Sequence, residues 1–281
     1  MDLVRTKEEL RVARAAIESS ALVGLVPTMG NLHAGHLELV DRARSQCTKV
    51  IATIFVNPLQ FGSGEDFSTY PRMLEQDSDL LMGRGADLLF APSVEEMYPR
   101  GRIDHTNVTT AHLTSMLCGA SRPGHFDGVA TVVSKLFNLI RPHVALFGEK
   151  DWQQMTLIRA MASDLDFPIE VVAVPTVRER SGLALSSRNS YLSDQEREKA
   201  PLLYSTLVGV KEKVLQGDSR YGFLEQEACA ILAKSGFVPD YVSIREGSTL
   251  KNANTGSTDR RVFGAAHLGK ARLIDNIAID A

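Results

Sequence analysis

The chain is poor in cysteine. Its three cysteines, Cys47, Cys118 and Cys229, are odd in number and far apart. They make neither a disulfide framework nor a zinc-binding pattern, and they fit a reducing compartment. No apolar run approaches the roughly 20 residues that cross a bilayer, and there is no internal repeat or low-complexity stretch. The formal net charge is −3, so no basic surplus points to nucleic acid. Several catalytic signatures are also missing. The glycines form no G-x-G-x-x-G and no glycine run ends in Lys-Ser or Lys-Thr, which argues against a dinucleotide-dependent dehydrogenase and a P-loop kinase. There is no G-x-S-x-G elbow and no H-E-x-x-H, so nucleophilic-serine and zinc-protease chemistry lack a basis.

What remains is 281 residues, 44% hydrophobic and 23% charged, enough for a substantial core in one large or two modest domains. The N-terminus is charged and reads as helical rather than as a signal peptide, so a cytoplasmic location is expected. Thr6 with Glu9 three residues on predicts a helix over 6–19. Apolar runs at 21–26, 49–56, 87–91, 143–148 and 169–174 read as strands. Helical spacing from Leu37, over 70–84, over 128–141 (with Asp127 as N-cap) and over 152–164 separates them. Alternating β and α elements with continuous apolar strands predict a doubly wound parallel sheet. The texture changes after Pro175. A polar segment over 178–193 leads to a helix capped by Ser193 and Glu196, a second helix over 218–235, and short strands at 241–246, 262–268 and 271–275. The expected division is 1–175 for an α/β domain and 176–281 for a smaller α+β domain.

The densest chemistry lies where the first apolar strand gives way to a helix, in Met29-Gly30-Asn31-Leu32-His33-Ala34-Gly35-His36. A helix N-terminus offers free N–H groups and the positive end of a dipole, which suits phosphate. Imidazoles at i and i+3 share a helix face. The same pair is also compatible with a capping role or with half of a zinc site. In open α/β sheets ligands bind beyond the carboxyl ends of the strands. The segments expected there are 29–36, 57–62 with Gln60, 149–154 with Lys150 and Gln154, and 177–189 with Ser186-Ser187-Arg188. They supply imidazoles, two cations, hydroxyls and neutral amides, a set for a phosphorylated ligand and a polar partner. The loop Arg122-Pro123-Gly124-His125 either joins them or only precedes a helix.

The H-x-G-H segment resembles the nucleotidyltransferase superfamily related to class I aminoacyl-tRNA synthetases. A wider set, PTMGNLH at 27–33, FVNPLQF at 55–61, YPR at 70–72, RPGHFDGV at 122–129, FGEKD at 147–151 and GLALSSRN at 182–189, resembles the pantothenate synthetase (pantoate–β-alanine ligase) family over nearly the whole chain. The resemblance implies a Rossmann-like fold and a two-step reaction. ATP and (R)-pantoate give an enzyme-bound pantoyl adenylate and pyrophosphate; β-alanine then displaces AMP to give pantothenate, on the way to coenzyme A. It further implies that Met29 to His36 hold ATP with His33 and His36 on the phosphates, His36 being the proton donor. Gly148, Glu149, Lys150 and Asp151 would contact ATP, with Lys150 catalytic beside the histidines. Val177 would meet the adenine, and Leu185, Ser186, Ser187 and Arg188 would close over the triphosphate as a mobile loop. Gln60 would bind pantoate and β-alanine, and Gln154 pantoate. Magnesium carried with ATP and a homodimer are the expected companions. Trp152 and His143 depart from the family pattern, at positions expected to stand clear of the chemistry. Two rival readings are a nucleotidyltransferase that leaves the nucleotide on its product and a nucleotide-binding sensor without turnover.

Overall fold

A computed structural model describes residues 1–62, 64–65, 67–101 and 103–280. Six strands, β1 (Asp2–Val4), β2 (Val23–Thr28), β3 (Lys49–Ile54), β4 (Leu88–Phe90), β5 (Val144–Gly148) and β6 (Glu170–Val174), form one sheet in the order β1-β4-β3-β2-β5-β6. Every pairing in it is parallel. The helices are α1 (Lys7–Ala15), α2 (Ala34–Gln46), α3 (Leu74–Gly83), α4 (Val94–Met97), α5 (Cys118–Ser121), α6 (His125–Ile140), α7 (Trp152–Asp164), α8 (Asp194–Lys199), α9 (Leu202–Leu215) and α10 (Tyr221–Lys234).

The central strands are mostly apolar because both faces of the sheet are covered. Successive side chains alternate between the two faces. Leu25, Ile51, Phe90 and Ala145 pack with Leu10 of α1, Phe137 of α6 and Leu157 of α7. Val26, Val50, Leu89 and Leu146 pack on the opposite face with Val40 of α2 and Leu81 of α3. Three further strands, β7 (Val238–Glu246), β8 (Arg260–Leu268) and β9 (Ala271–Ala278), make an antiparallel sheet. It has its own core, in which Leu207 of α9 and Leu232 of α10 meet Val262 and Ala266.

Local signals place several boundaries. Thr6 and Glu9 form the capping box of α1, and Ser193 and Glu196 that of α8. Others fall differently from the sequence expectation. The segment at 2–4 is an edge strand beside β4, not helix; three residues are too few for a periodic pattern, and pairing supplies the order. Helix α6 starts at His125 after a left-handed Gly124, so Asp127 lies in its first turn and is not the N-cap. Helix α3 starts at Leu74, beyond Pro71. The helix predicted from Ser193 divides into α8 and α9 at Pro201, whose ring interrupts helical hydrogen bonding. Ser187–Tyr191, read as open loop, folds into a single tight turn capped by Ser186.

From β2 the chain builds outward to β3 and β4 on one side, and β5 and β6 occupy the other. Connections therefore diverge beyond the carboxyl ends of β2 and β5. That divergence opens the crevice where α/β sheets bind ligands.

Candidate active site

At the end of β2, Gly30 (φ +82°) and Asn31 (φ +53°) are both left-handed. This conformation turns successive N–H groups to one side, a nest for an anion. The anion is internal. The Asp77 carboxylate, 2% exposed, accepts the N–H groups of Asn31 and Leu32 at 2.8 Å each. A Cβ on Gly30 would lie 3.0 Å from that carboxylate, so glycine is required twice over. The amides of Asn31 and Leu32 are thus occupied by the protein itself.

The next residues open α2. His33 is the N-cap: its Nδ1 accepts the Gly35 N–H at 3.1 Å, while His36 Nδ1 accepts the His33 N–H at 3.3 Å. The two rings lie 4.1 Å apart. Nitrogens that accept carry no proton, so each neutral ring bears its hydrogen on Nε2. Burial pulls the His36 pKa down to about 3, with His33 adding to the effect. Burial, then the Lys150 charge, pulls His33 down to about 4. Both rings are uncharged N–H donors at neutral pH.

Beyond β3, Asn57 caps the turn Pro58–Gln60, and its Nδ2 donates to Gln60 Oε1 at 2.9 Å. The Gln60 side chain is thereby oriented, with its Nε2 left to donate. Its backbone carbonyl accepts from His125 Nδ1 at 2.7 Å and Arg122 at 3.3 Å. Arg122 is paired bidentately with Glu65 at 2.6 and 2.7 Å. Its hydrogen bonds hold the Glu65 carboxyl below the usual range. Burial, then Arg122, pulls His125 down to about 4. The 122–125 loop therefore braces Gln60. Helix α6 passes close to that turn only because residue 128 is glycine; a Cβ there would sit 2.4 Å from the Leu59 carbonyl oxygen.

Beyond β5, Glu149–Asp151 makes a tight turn from which Lys150 extends, 3.6 Å from Asp151 Oδ1. Gln153, next to Gln154, is fully used in tying the loop before α5: it donates to Leu113 and Met116 and accepts from Cys118. Beyond β6, Val177 precedes Arg178, whose guanidinium grips Asp275 at 2.5 and 2.8 Å.

These segments enclose a cavity of about 550 Å³. Met29, His33, Gly35 and His36 line it, as do Gln60, Gly148, Lys150, Asp151 and Gln154. Val177 and the run Leu185, Ser186, Ser187 and Arg188 complete it. Gly30, Asn31, Leu32, Ala34 and Glu149 stand behind the lining, in the backbone that shapes it.

The Pantoate-beta-alanine ligase family profile matches residues 2–278. The chain belongs to the pantoate–β-alanine ligase family. Similar members include the pantothenate synthetases of Pseudomonas fluorescens (strain Pf0-1), 51% identical over 100% of this chain and 98% of that protein, and of Laribacter hongkongensis, 52% identical over 99% of each. Among solved structures, pantothenate synthetase from Thermus thermophilus superposes with a TM-score of 0.92 at 50% identity, covering 100% of both chains. The pantoate–β-alanine ligase of Francisella tularensis, solved with β,γ-ATP and β-alanine, gives 0.82 at 34% identity, over 99% of this chain and 98% of that one.

His143 and Trp152, read from the sequence as departures from the family pattern, have structural roles. His143 Nδ1 accepts the Val23 N–H at 3.0 Å at the start of the sheet. Trp152 lines the cavity, donating to the Gly247 carbonyl at 2.8 Å beneath the Arg261 guanidinium. The sequence assigns no role to Asp77 or Asn276. Each acts on a segment more than 40 residues away, and no local pattern signals that.

Proposed function

We propose that this cavity carries the ATP-dependent condensation of (R)-pantoate with β-alanine through a pantoyl adenylate. The observation that carries the reading is the sharing of one cavity by two neutral glutamines, Gln60 and Gln154, and by His33, His36, Lys150 and the 185–188 segment. The former suit a hydroxy acid; the latter suit a triphosphate. The Francisella relative, solved with β,γ-ATP and β-alanine, supports the same pairing of ligands.

The pantoate carboxylate attacks the α-phosphorus, forming the acyl–phosphate bond and expelling pyrophosphate. Charge grows on the phosphate oxygens and the leaving group. The Nε2–H groups of His33 and His36 and the Lys150 ammonium stabilise it, with Arg188 and the Ser186 and Ser187 hydroxyls closing over the phosphates. His36 serves as a hydrogen-bond donor from a neutral ring. Amides orient the pantoate carboxylate without a tight ion pair that would blunt its nucleophilicity. The β-alanine amine then attacks the acyl carbon, AMP leaves, and the amine loses a proton. A closed cleft protects the adenylate from water.

Magnesium would accompany ATP, where it would offset charge on the phosphates. Among the described residues no three His, Cys, Asp or Glu side chains gather as a metal site. Residues 1–175 bind ATP and pantoate, and 176–281 cover them. The unpaired cysteines agree with a cytoplasmic enzyme, and family likeness supports a homodimer. No helix among the described residues is long and apolar enough to cross a membrane.

Exchange of labelled pyrophosphate into ATP tests the reading. Exchange is expected only with pantoate present, and AMP release only when β-alanine is added. Exchange without pantoate, or a nucleotide retained on the product, overturns it.

A further inference from the structure

Two adjacent residues of β9 reach into the nucleotide side of the cavity from the antiparallel sheet. Asp275 takes the bidentate grip of Arg178, next to Val177. Asn276 does something more specific. Its Nδ2 donates to the backbone carbonyls of both Glu149 and Lys150, at 2.9 Å each. Its Oδ1 is held by the Arg261 guanidinium, and its backbone N–H by Asp275 Oδ1 at 2.8 Å. Arg261 is itself fixed over the Trp152 ring, 3.3 Å from its centroid. Asn276 is 5% exposed, so water does not substitute for these bonds.

A primary amide has two N–H donors, and here both serve one turn. The Glu149–Asp151 turn has no side-chain cap hydrogen bond of its own. Its two carbonyls find their donor on a strand about 126 residues later in the chain. Lys150 is a flexible side chain whose reach is set by the backbone that carries it. Donors act in a transition state only when held in place beforehand.

We propose that Asn276 is a positioning residue for adenylation: by clamping the Glu149 and Lys150 carbonyls from the antiparallel sheet, it fixes the turn that aims Lys150 at the phosphates. Asn276 donates to no substrate in this account and acts through Lys150. The inference rests on the function proposed above. It also makes the antiparallel sheet part of the adenylation machinery and not only a cover.

The test is a double-mutant cycle on pyrophosphate exchange in the full-length enzyme, with Asn276→Ala, Lys150→Ala and the two combined. Asn276→Ala is expected to lower the kcat of exchange about tenfold or more, with the KM for pantoate within about twofold of wild type. In the Lys150→Ala background the same change is expected to cost less than about twofold, because the side chain it aims is gone. Asn276→Asp is isosteric, keeps an acceptor for Arg261 and loses the donor; it is expected to match Asn276→Ala in rate while melting closer to wild type. It carries the test should the alanine variant melt below the assay temperature. Wild-type exchange in Asn276→Asp, or losses that multiply independently in the double variant, overturn the inference. Absence of pantoate-dependent exchange in the wild-type enzyme instead overturns the proposed function.

Discussion

His33 and His36 cap the same helix turn reciprocally. His36 Nδ1 receives the His33 N–H at 3.3 Å, and His33 Nδ1 receives the Gly35 N–H at 3.1 Å. A serine–glutamate capping box does the same work elsewhere in this chain, at Ser193 and Glu196. The imidazole version leaves one N–H on each ring free to face the cavity. A cap is thereby also a pair of phosphate donors.

These donors are neutral, and that has a pH signature. His33, His36 and His125 have pKa values pulled down to about 4, 3 and 4, against about 6.5 in the unfolded chain. Between those values the unfolded state binds protons that the native state refuses. The stability they contribute is present above about pH 6.5 and is lost as pH falls toward the folded values. The urea midpoint is expected to be lower at pH 5.0 than at pH 7.5, and imidazole nitrogen NMR is expected to report the Nε2–H form of His36 at both. A titration of His36 near 6.5 contradicts the geometry.

Removing a transition-state donor costs more than removing a ground-state contact. His36→Ala and Lys150→Ala are each expected to slow adenylate formation by about a hundredfold or more while leaving the fold intact. Pantoate-dependent exchange reads the rate and circular dichroism the fold. Wild-type rates in either variant remove that residue from the chemistry.

Asp77 satisfies two partly buried amides with two carboxylate oxygens. In Asp77→Asn one of those amides faces an NH₂ group instead. The expected loss is about 1–3 kcal/mol of stability, with slower exchange because the turn before His33 loosens. Unchanged denaturation and unchanged exchange together would show that the nest needs no anion.

Gly128→Ala tests the brace on Gln60. The new Cβ would meet the Leu59 carbonyl oxygen at 2.4 Å and the Gln60 nitrogen at 2.9 Å, so α6 must retreat from the Pro58–Gln60 turn. Overpacking of this kind costs about 1–3 kcal/mol. The KM for pantoate is expected to rise while that for ATP holds. A shift in the ATP value alone would place Gln60 outside pantoate recognition.

Leu185 approaches Gly35, and Ser187 Oγ lies 3.5 Å from the Tyr70 hydroxyl, so the 185–188 segment already rests against the opposite wall. ATP is expected to protect the bond after Arg188 from trypsin. Equal cleavage with and without nucleotide argues against closure over the phosphates.

Some of this was legible along the chain. The Thr6–Glu9 and Ser193–Glu196 boxes span three residues each, and the apolar strands alternate with helices whose spacing is visible by eye. The loops after β2, β3, β5 and β6 pointed to the cavity, because parallel strands share one carboxyl end. The edge strand at 2–4 escaped because its order comes from β4 and not from its own pattern. The start of α6 escaped because a left-handed Gly124 sets it, where Asp127 offered a commoner cap.

The sequence by itself determined which chemical groups are present and in what local order: two imidazoles one helical turn apart, a lysine after an apolar strand, two glutamines and a Ser-Ser-Arg segment. Such relations need only covalent spacing and the geometry of strand and helix. Only the tertiary structure decided which of these groups are free to act. The Asn31 and Leu32 amides are filled by Asp77, and the Lys150 turn is held by Asn276. Burial makes that difference, since a polar group removed from water must find a partner wherever the fold supplies one, and distance along the chain does not say where.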